Sequence, residues 1–315
     1  MEYRELGGTG VTTSVMGVGT GGPSRVGLQN GGSDEGAVEV IRRAIESGVT
    51  FIDTAEAYRT EEVVARAIQD VPRDSLVIST KISRWQDLDA AGIEASVDER
   101  LRVLGTDYLD VCHLHGVTID RYDEVIDRLY PGLVRAREAG KVRLLGVTEM
   151  FNGDPGHEML ARAVANEYWD VVMVGFNILN QSARERVLAA TQAKGIAVLA
   201  MFVVRLALSR RERVVEVVGD LIDRGELDEG LLRELGGSRE DPLGWVVERT
   251  DAISLVDAAY RFVRHEPGID VTLSGTGSLD HLYANIESLR RPALDPRVAE
   301  QLRRLFARVD SVTAQ

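Results

Sequence analysis

Short β-branched runs alternate with amphipathic segments eight times along this chain, and that rhythm constrains the fold more than any other feature. The runs are SVMGVG, VTFID, LVIST, YLDVCHL, VRLLGV, WDVVMV, IAVLAM and VTLSG. Segments such as EEVVARAI, IEASVDERLRVL, HEMLARAVA, ARERVLAATQ and LDHLYANIESL follow them at helical spacing. Apolar strands separated by helices imply a parallel sheet covered on its outer face, and eight such units is the count that closes it. The expected fold is therefore α/β, a (β/α)8 TIM barrel forming a single domain over 1–315. At 315 residues and 44% hydrophobic content, the chain is long enough for one large barrel.

The helix boundaries agree with this reading. Ser33 stands as an N-cap before Asp34 and Glu35; Val38, Ile41 and Ile45 share a face, and Gly48 suits the position after the helix. Ile93, Val97, Leu101 and Leu104 form a core-facing stripe that stops at Gly105, while Gly140 and Gly195 connect helix to strand. Two stretches break the rhythm. YRELGGTGVTTS reads as two short strands around Gly7, Gly8 and Gly10, a hairpin closing the amino-terminal end of the barrel. After the seventh strand, 203–253 is a long insertion with helical patterns, expected to act as a lid over cofactor or substrate.

A net charge of −13 repels nucleic acid and anionic membranes, which fits a protein handling small molecules. The single cysteine, Cys112, excludes an internal disulfide. The start MEYRELGGTG does not resemble a signal peptide, and no apolar run approaches membrane-spanning length, so a cytoplasmic location is expected. Oligomeric state is not readable.

Four residues between 50 and 140 carry chemistry: Asp53, Tyr58, Lys81 and His115, each at or just beyond the carboxyl end of a predicted strand. In a parallel barrel those ends share one face, so a carboxylate, a phenol, an ammonium and an imidazole converge. A lysine ending the run LVISTK can point inward only if paired, and Asp53 is its natural partner. The ammonium then stays charged beside Tyr58 and lowers the phenol's pKa towards neutrality. Such a phenol can protonate a carbonyl oxygen that His115 also hydrogen-bonds, so the set suits carbonyl reduction or the reverse alcohol oxidation.

Two rival motifs are weaker. Gly17-Val18-Gly19-Thr20-Gly21-Gly22 satisfies the literal dinucleotide pattern, but PSRVGLQNGG follows it and cannot open the helix that the motif requires. His113-Leu114-His115 resembles the His-x-His of metal-dependent barrel hydrolases, yet the later strands carry no His or carboxylate aimed at a metal. No metal is expected.

The chain resembles the aldo-keto reductases over nearly its whole length. The stretches YRELGGTGVTTSVMGVGTGG, FIDTAEAY, VISTK, LGTDYLDVCHLH, GKVRLLGVT, FNILNQS, KGIAVLA and SGTGSLDHLYANI follow that family's order and spacing. The resemblance implies an NADP or NAD cofactor, with Tyr58 as proton donor, Asp53 and Lys81 tuning it, and His115 positioning the carbonyl. It places Gly19, Thr20 and Asp53 against the cofactor as well. Independently, Ser274, Gly275, Thr276 and Gly277 lead into the helix carrying His281 and Asn285, where free N–H groups could hold a phosphate; the resemblance assigns this segment to the adenosine end. Neither Gly277 nor His281 supplies the cation that commonly binds the 2′-phosphate, so NAD is open.

Around the nicotinamide the chain departs from the family pattern, with Thr148 and Glu149 for Ser-Asn, Met173 for Gln and Met201 for Tyr. Glu149 and Met173 cannot donate the usual amide hydrogen bonds. A regulatory relative with the same fold and weak or no catalysis is the alternative, and a hydrolase using His113 and His115 a lesser one. Expected substrate walls are Pro23, Val26, Trp85, Trp245, His115 and the insertion, for an aldehyde, ketone, sugar lactol or alcohol.

Overall fold

A computed structural model of the chain describes residues 1–83 and 85–314. Strands β1 (Tyr3–Glu5) and β2 (Thr12–Ser14) pair antiparallel as the expected hairpin. The next eight strands are β3 (Met16–Gly19), β4 (Phe51–Asp53), β5 (Val77–Ile82), β6 (Leu109–Val117), β7 (Val142–Glu149), β8 (Val171–Gly175), β9 (Ala197–Met201) and β10 (Val271–Ser274). They pair in parallel with their sequence neighbours, and β10 pairs with β3 to close the barrel. All eight coincide with the apolar runs of the sequence.

Alternation along each strand sorts the side chains. Ile52, Ile78, Leu114, Leu145, Val147, Val172 and Val198 face outward into the core shared with the helices. Phe51, Val77, Val111, Leu144, Val171, Leu199 and Val271 face inward and form a separate apolar cluster that fills the barrel. Leu6 and Val11 of the hairpin belong to this inner cluster and are 0% and 4% exposed, so the hairpin is a stopper. Its turn lies so close to the main chain before β9 that a Cβ on Gly7 would sit 2.4 Å from the Gly195 carbonyl oxygen.

The helices are set by their caps and stripes. Ser33 Oγ accepts from Gly36 N at 3.2 Å to open Asp34–Glu46, and Asp89 accepts from Gly92 N at 2.8 Å to open Ala90–Leu104. Ile93, Val97 and Leu104 are buried, and Gly105 ends that helix with φ of 66°. The insertion is ordered into four helices, Leu206–Ser209, Arg211–Asp223, Glu229–Glu234 and Gly244–Glu248. Val214, Val218, Leu221, Leu232, Trp245 and Val246 are buried within the same core as the rest of the chain. Among the described residues no helix is long and apolar enough to cross a membrane.

Above the apolar filling, the barrel interior turns polar. Asp53, Ser79, Lys81, His113 and Thr148 are all buried there. His113 faces Gly146 across the β6–β7 register, and a Cβ at that glycine would lie 2.2 Å from His113 Nδ1. Gly146→Ala is therefore expected to destabilise the fold by about 1–3 kcal/mol through overpacking. Denaturant unfolding of the two proteins measures this, and equal midpoints would show that the imidazole has room to yield.

Candidate active site

The site is built on the ends of β4, β5 and β6. Asp53 closes β4 and Lys81 is the fifth residue of β5, both on the inward side of their strands. Lys81 Nζ donates to Asp53 Oδ2 at 2.6 Å and to the Thr54 carbonyl at 2.8 Å, while Ser79 Oγ donates to Asp53 Oδ1 at 2.9 Å. The pair has side-chain exposures of 0% and 4%, so neither charge reaches bulk water. Burial alone would drive the ammonium down, but Asp53 and the Tyr58 phenol outweigh it and hold Lys81 above its ordinary range.

Tyr58 sits in the turn Glu56–Tyr58 that follows β4, and Lys81 Nζ lies 4.8 Å from its ring centroid. Gly21 makes room for the phenol, since a Cβ there would stand 2.5 Å from the ring. The ring of His115, on β6, meets Tyr58 edge to face at 5.4 Å, with Nε2 3.4 Å from Tyr58 Oη. On its other side Nδ1 is 2.7 Å from Ser83 Oγ, a partner that strand-end counting did not single out. Burial first, then the Lys81 charge, pushes the imidazole down to about 3, so it is neutral.

One electrostatic expectation is corrected here. Tyr58 was expected to have a lowered pKa, but burial outweighs the pull of Lys81 and raises it above the ordinary phenol value. The Asp53 charge adds to the rise, while Arg205, a cation not anticipated from the sequence, opposes it.

The phenol opens on a cavity of about 300 Å³ at the carboxyl ends of the strands. Of the residues expected around cofactor and substrate, Gly19, Pro23, Asp53, Met173, Met201 and Gly275 line it. Several others are placed elsewhere. Glu149 faces outward, buried, accepting from His157 Nδ1 at 2.9 Å and from Gly175 N at 2.7 Å. Burial raises its carboxyl, against the pull of His157. Thr148 Oγ1 accepts from Gly116 N at 2.8 Å, and Thr20 Oγ1 is 2.7 Å from Thr60 Oγ1. Ser274 Oγ lies 2.9 Å from Tyr260 Oη and accepts from Asn285 Nδ2 at 3.0 Å, so Asn285 braces the strand end.

The helix after β10 is partly capped from within. Ser278 Oγ accepts from His281 N, and Thr276 Oγ1 from Ser278 N. Gly277 packs on the turn at Gly27, where its Cβ would be 2.3 Å from Gly27 Cα. The tryptophans are also corrected as substrate walls. Trp85 is 2% exposed and donates Nε1–H to the His115 carbonyl at 2.8 Å, which braces β6 from behind. Trp245, also 2% exposed, donates to the Pro242 carbonyl inside the insertion. Val26 is buried at 2% as well. Of the 203–253 insertion, Val203, Val204, Arg205, Leu206 and Ser209 reach the cavity; its three later helices do not line it. Phe202, Tyr260 and Leu273 complete the apolar wall.

Known proteins place this architecture. The chain is similar to L-galactose dehydrogenase of Arabidopsis thaliana, 31% identical over 157 residues, 47% of this chain and 48% of that protein. It is 26% identical over 223 residues to the NADH-specific methylglyoxal reductase of Escherichia coli, covering 63% and 66%. The first curated relatives are thus matched over about half of their length. Among solved structures, an aldo/keto reductase from Klebsiella pneumoniae in complex with NADP and acetate has the same fold, with a TM-score of 0.68, 22% identity and 98% of each chain covered. The model of the aldo/keto reductase family matches residues 15–306, from the first barrel strand to the last helix, and the chain belongs to that family.

Proposed function

We propose that this protein is an NAD(P)-dependent oxidoreductase that reduces an aldehyde or ketone, or oxidises the matching alcohol or sugar lactol, with Tyr58 as the proton donor. The observation that carries this reading is the placement of the Tyr58 phenol and a neutral His115 imidazole, 3.4 Å apart, in front of the buried Lys81–Asp53 pair. The cavity suits a flat ring. Gly19, Gly21, Gly22 and Gly275 leave part of its wall without side chains, and a Cβ on Gly275 would collide with the Gly19 carbonyl at 2.8 Å. Met173 and Met201 offer polarisable apolar faces in the same cavity. A bound nicotinamide supplies or accepts the hydride.

The protein's own groups manage the proton. In the reductive direction Tyr58 Oη–H is donated to the carbonyl oxygen as negative charge develops there, and Lys81 stabilises the phenolate left behind. Asp53 keeps the ammonium charged and fixed in place, so little reorganisation is needed at the moment of transfer. With Ser83 Oγ–H donating to Nδ1, His115 carries its hydrogen on Nε2 and donates it to the same oxygen. That second donor orients the carbonyl, and its neutrality avoids a competing acid in the site.

Tyr58→Phe deletes the donor and almost no volume. Turnover should fall by at least about 100-fold while cofactor affinity stays within a factor of two, measured by steady-state kinetics and fluorescence quenching. Full activity in that variant would refute the mechanism. Lys81→Met should also inactivate, and leaving Asp53 unpaired should cost about 3–5 kcal/mol in denaturant unfolding; lost stability with unchanged kinetics would make the pair purely structural.

The pH dependence follows from the two shifts. A phenol held above its ordinary value is protonated at neutral pH, so reduction should be flat through neutrality and fall only in alkali, while alcohol oxidation should climb over that alkaline range. His115, at about 3, should produce no acid limb near its ordinary value of 6.5. A kcat/KM profile checks both, and an acid limb near 6.5 would mean that the imidazole is solvated. Because neither Gly277 nor His281 offers a fixed cation, NADH should bind at least as well as NADPH in calorimetric titration. A tenfold preference for NADPH would overturn that expectation.

A further inference from the structure

Ser79, Lys81 and Ser83 alternate along β5 and the residue just past it, the spacing that keeps side chains on one strand face. The first two hold Asp53. Ser83 stands elsewhere, between the turn that carries Tyr58 and the imidazole of His115. Its N–H donates to Glu56 Oε2 at 3.0 Å, its Oγ accepts from Ala57 N–H at 3.3 Å, and the same oxygen lies 2.7 Å from His115 Nδ1. Trp85 Nε1–H holds the His115 carbonyl at 2.8 Å, so the main chain bearing the imidazole is fixed as well.

The hydrogens of this cluster have one consistent arrangement. His115 is neutral, because burial and the Lys81 charge push it down to about 3, so its ring carries a hydrogen on Nδ1 or on Nε2 but not on both. Ala57 N–H fills one lone pair of Ser83 Oγ, and the hydroxyl hydrogen still needs an acceptor. Among the described residues Nδ1 is the acceptor within its reach. Donation from Ser83 to Nδ1 places the ring hydrogen on Nε2. The opposite tautomer would have a chemical consequence, since Nε2 is 3.4 Å from Tyr58 Oη. A bare Nε2 would accept the phenol's hydrogen and withdraw it from the carbonyl that Tyr58 is to protonate; an Nε2–H cannot.

We propose that Ser83 is a positioning residue for the proton donor: by donating to His115 Nδ1 it keeps Nε2 a donor, and so leaves the Tyr58 hydrogen free for the substrate's carbonyl oxygen. This rests on the oxidoreductase reading above. Ser83 acts through the imidazole rather than on the substrate. Nε2–H and Oη–H then converge on one oxygen instead of bonding each other, and both meet the negative charge that develops there. The bonds of Ser83 to Glu56 and Ala57 also tie the turn Glu56–Tyr58 to the end of β5, so the phenol and the imidazole share an anchor.

The test compares the wild type, Ser83→Ala and Ser83→Thr as full-length proteins, by heteronuclear NMR of the ring nitrogens and by kinetics with 4-nitrobenzaldehyde and saturating NADH. The His115 signals are assigned by their loss in His115→Gln. In the wild type Nε2 should carry the hydrogen. Ser83→Ala should move it to Nδ1 and lower kcat by roughly 10- to 100-fold, with KM and NADH affinity within about threefold. Ser83→Thr, which keeps the hydroxyl, should restore the tautomer and most of the rate. A wild type protonated on Nδ1 would overturn the proposal. So would a lower kcat in Ser83→Ala with the tautomer unchanged, which would reduce Ser83 to a brace for the turn, or a switched tautomer with kcat unchanged. If the wild type neither reduces the aldehyde nor binds NADH or NADPH, the oxidoreductase reading itself fails. NMR then decides the role of Ser83 alone: a tautomer that switches in Ser83→Ala and returns in Ser83→Thr supports it, and one that does not respond rejects it.

Discussion

Lys81 and Asp53 form the ion pair around which the upper half of this barrel is arranged. Two charges without access to water are costly, and their mutual attraction repays that cost only if the remaining donors and acceptors are satisfied. Here they are: Thr54 takes a second ammonium hydrogen and Ser79 fills the other carboxylate oxygen. The arrangement requires strand ends held to within fractions of an ångström, which a closed barrel provides and a loop cannot. It also depends on a dry floor beneath it. The inner apolar layer from Phe51 to Val271, closed by Leu6 and Val11 of the hairpin, keeps water from entering through the amino-terminal end. The hairpin, remote from the chemistry, is thus part of what keeps the ammonium paired.

Most of this was readable in the sequence because it depends on period and position. Eight apolar runs imposed the barrel, and a charged residue on the inward side of such a run must be paired. The cofactor wall was less legible, for a reason visible in β7. Leu144, Gly146 and Thr148 face inward, so two-residue alternation sends Glu149 outward with Leu145 and Val147; resemblance to a family position suggested a cofactor contact, while strand geometry already argued against it. Trp85 and Trp245 show a different limit. A tryptophan carries one donor and a large apolar face, and composition cannot say whether a pocket or the core receives them; here backbone carbonyls take both donors. The Tyr58 shift was misjudged because the neighbouring cation is evident in sequence while desolvation emerges only once the walls are built.

The glycines of the site share a role that unites these features. Gly21, Gly146 and Gly175 stand where the rings of Tyr58, His113 and Phe151 come against the main chain, and in each case a Cβ would lie within 2.5 Å of the ring. Two of them, Gly146 and Gly175, lie in barrel strands, where glycine ordinarily weakens the sheet. The barrel tolerates this because parallel neighbours on both sides fix those strands regardless of local propensity. What it gains is rings seated directly on backbone, with no flexible side chain between them. Tyr58 on Gly21 borders the cavity at one end, and Phe151 on Gly175 packs against Phe202 of the cavity wall. The position of the phenol is therefore set by the main chain just beyond β3.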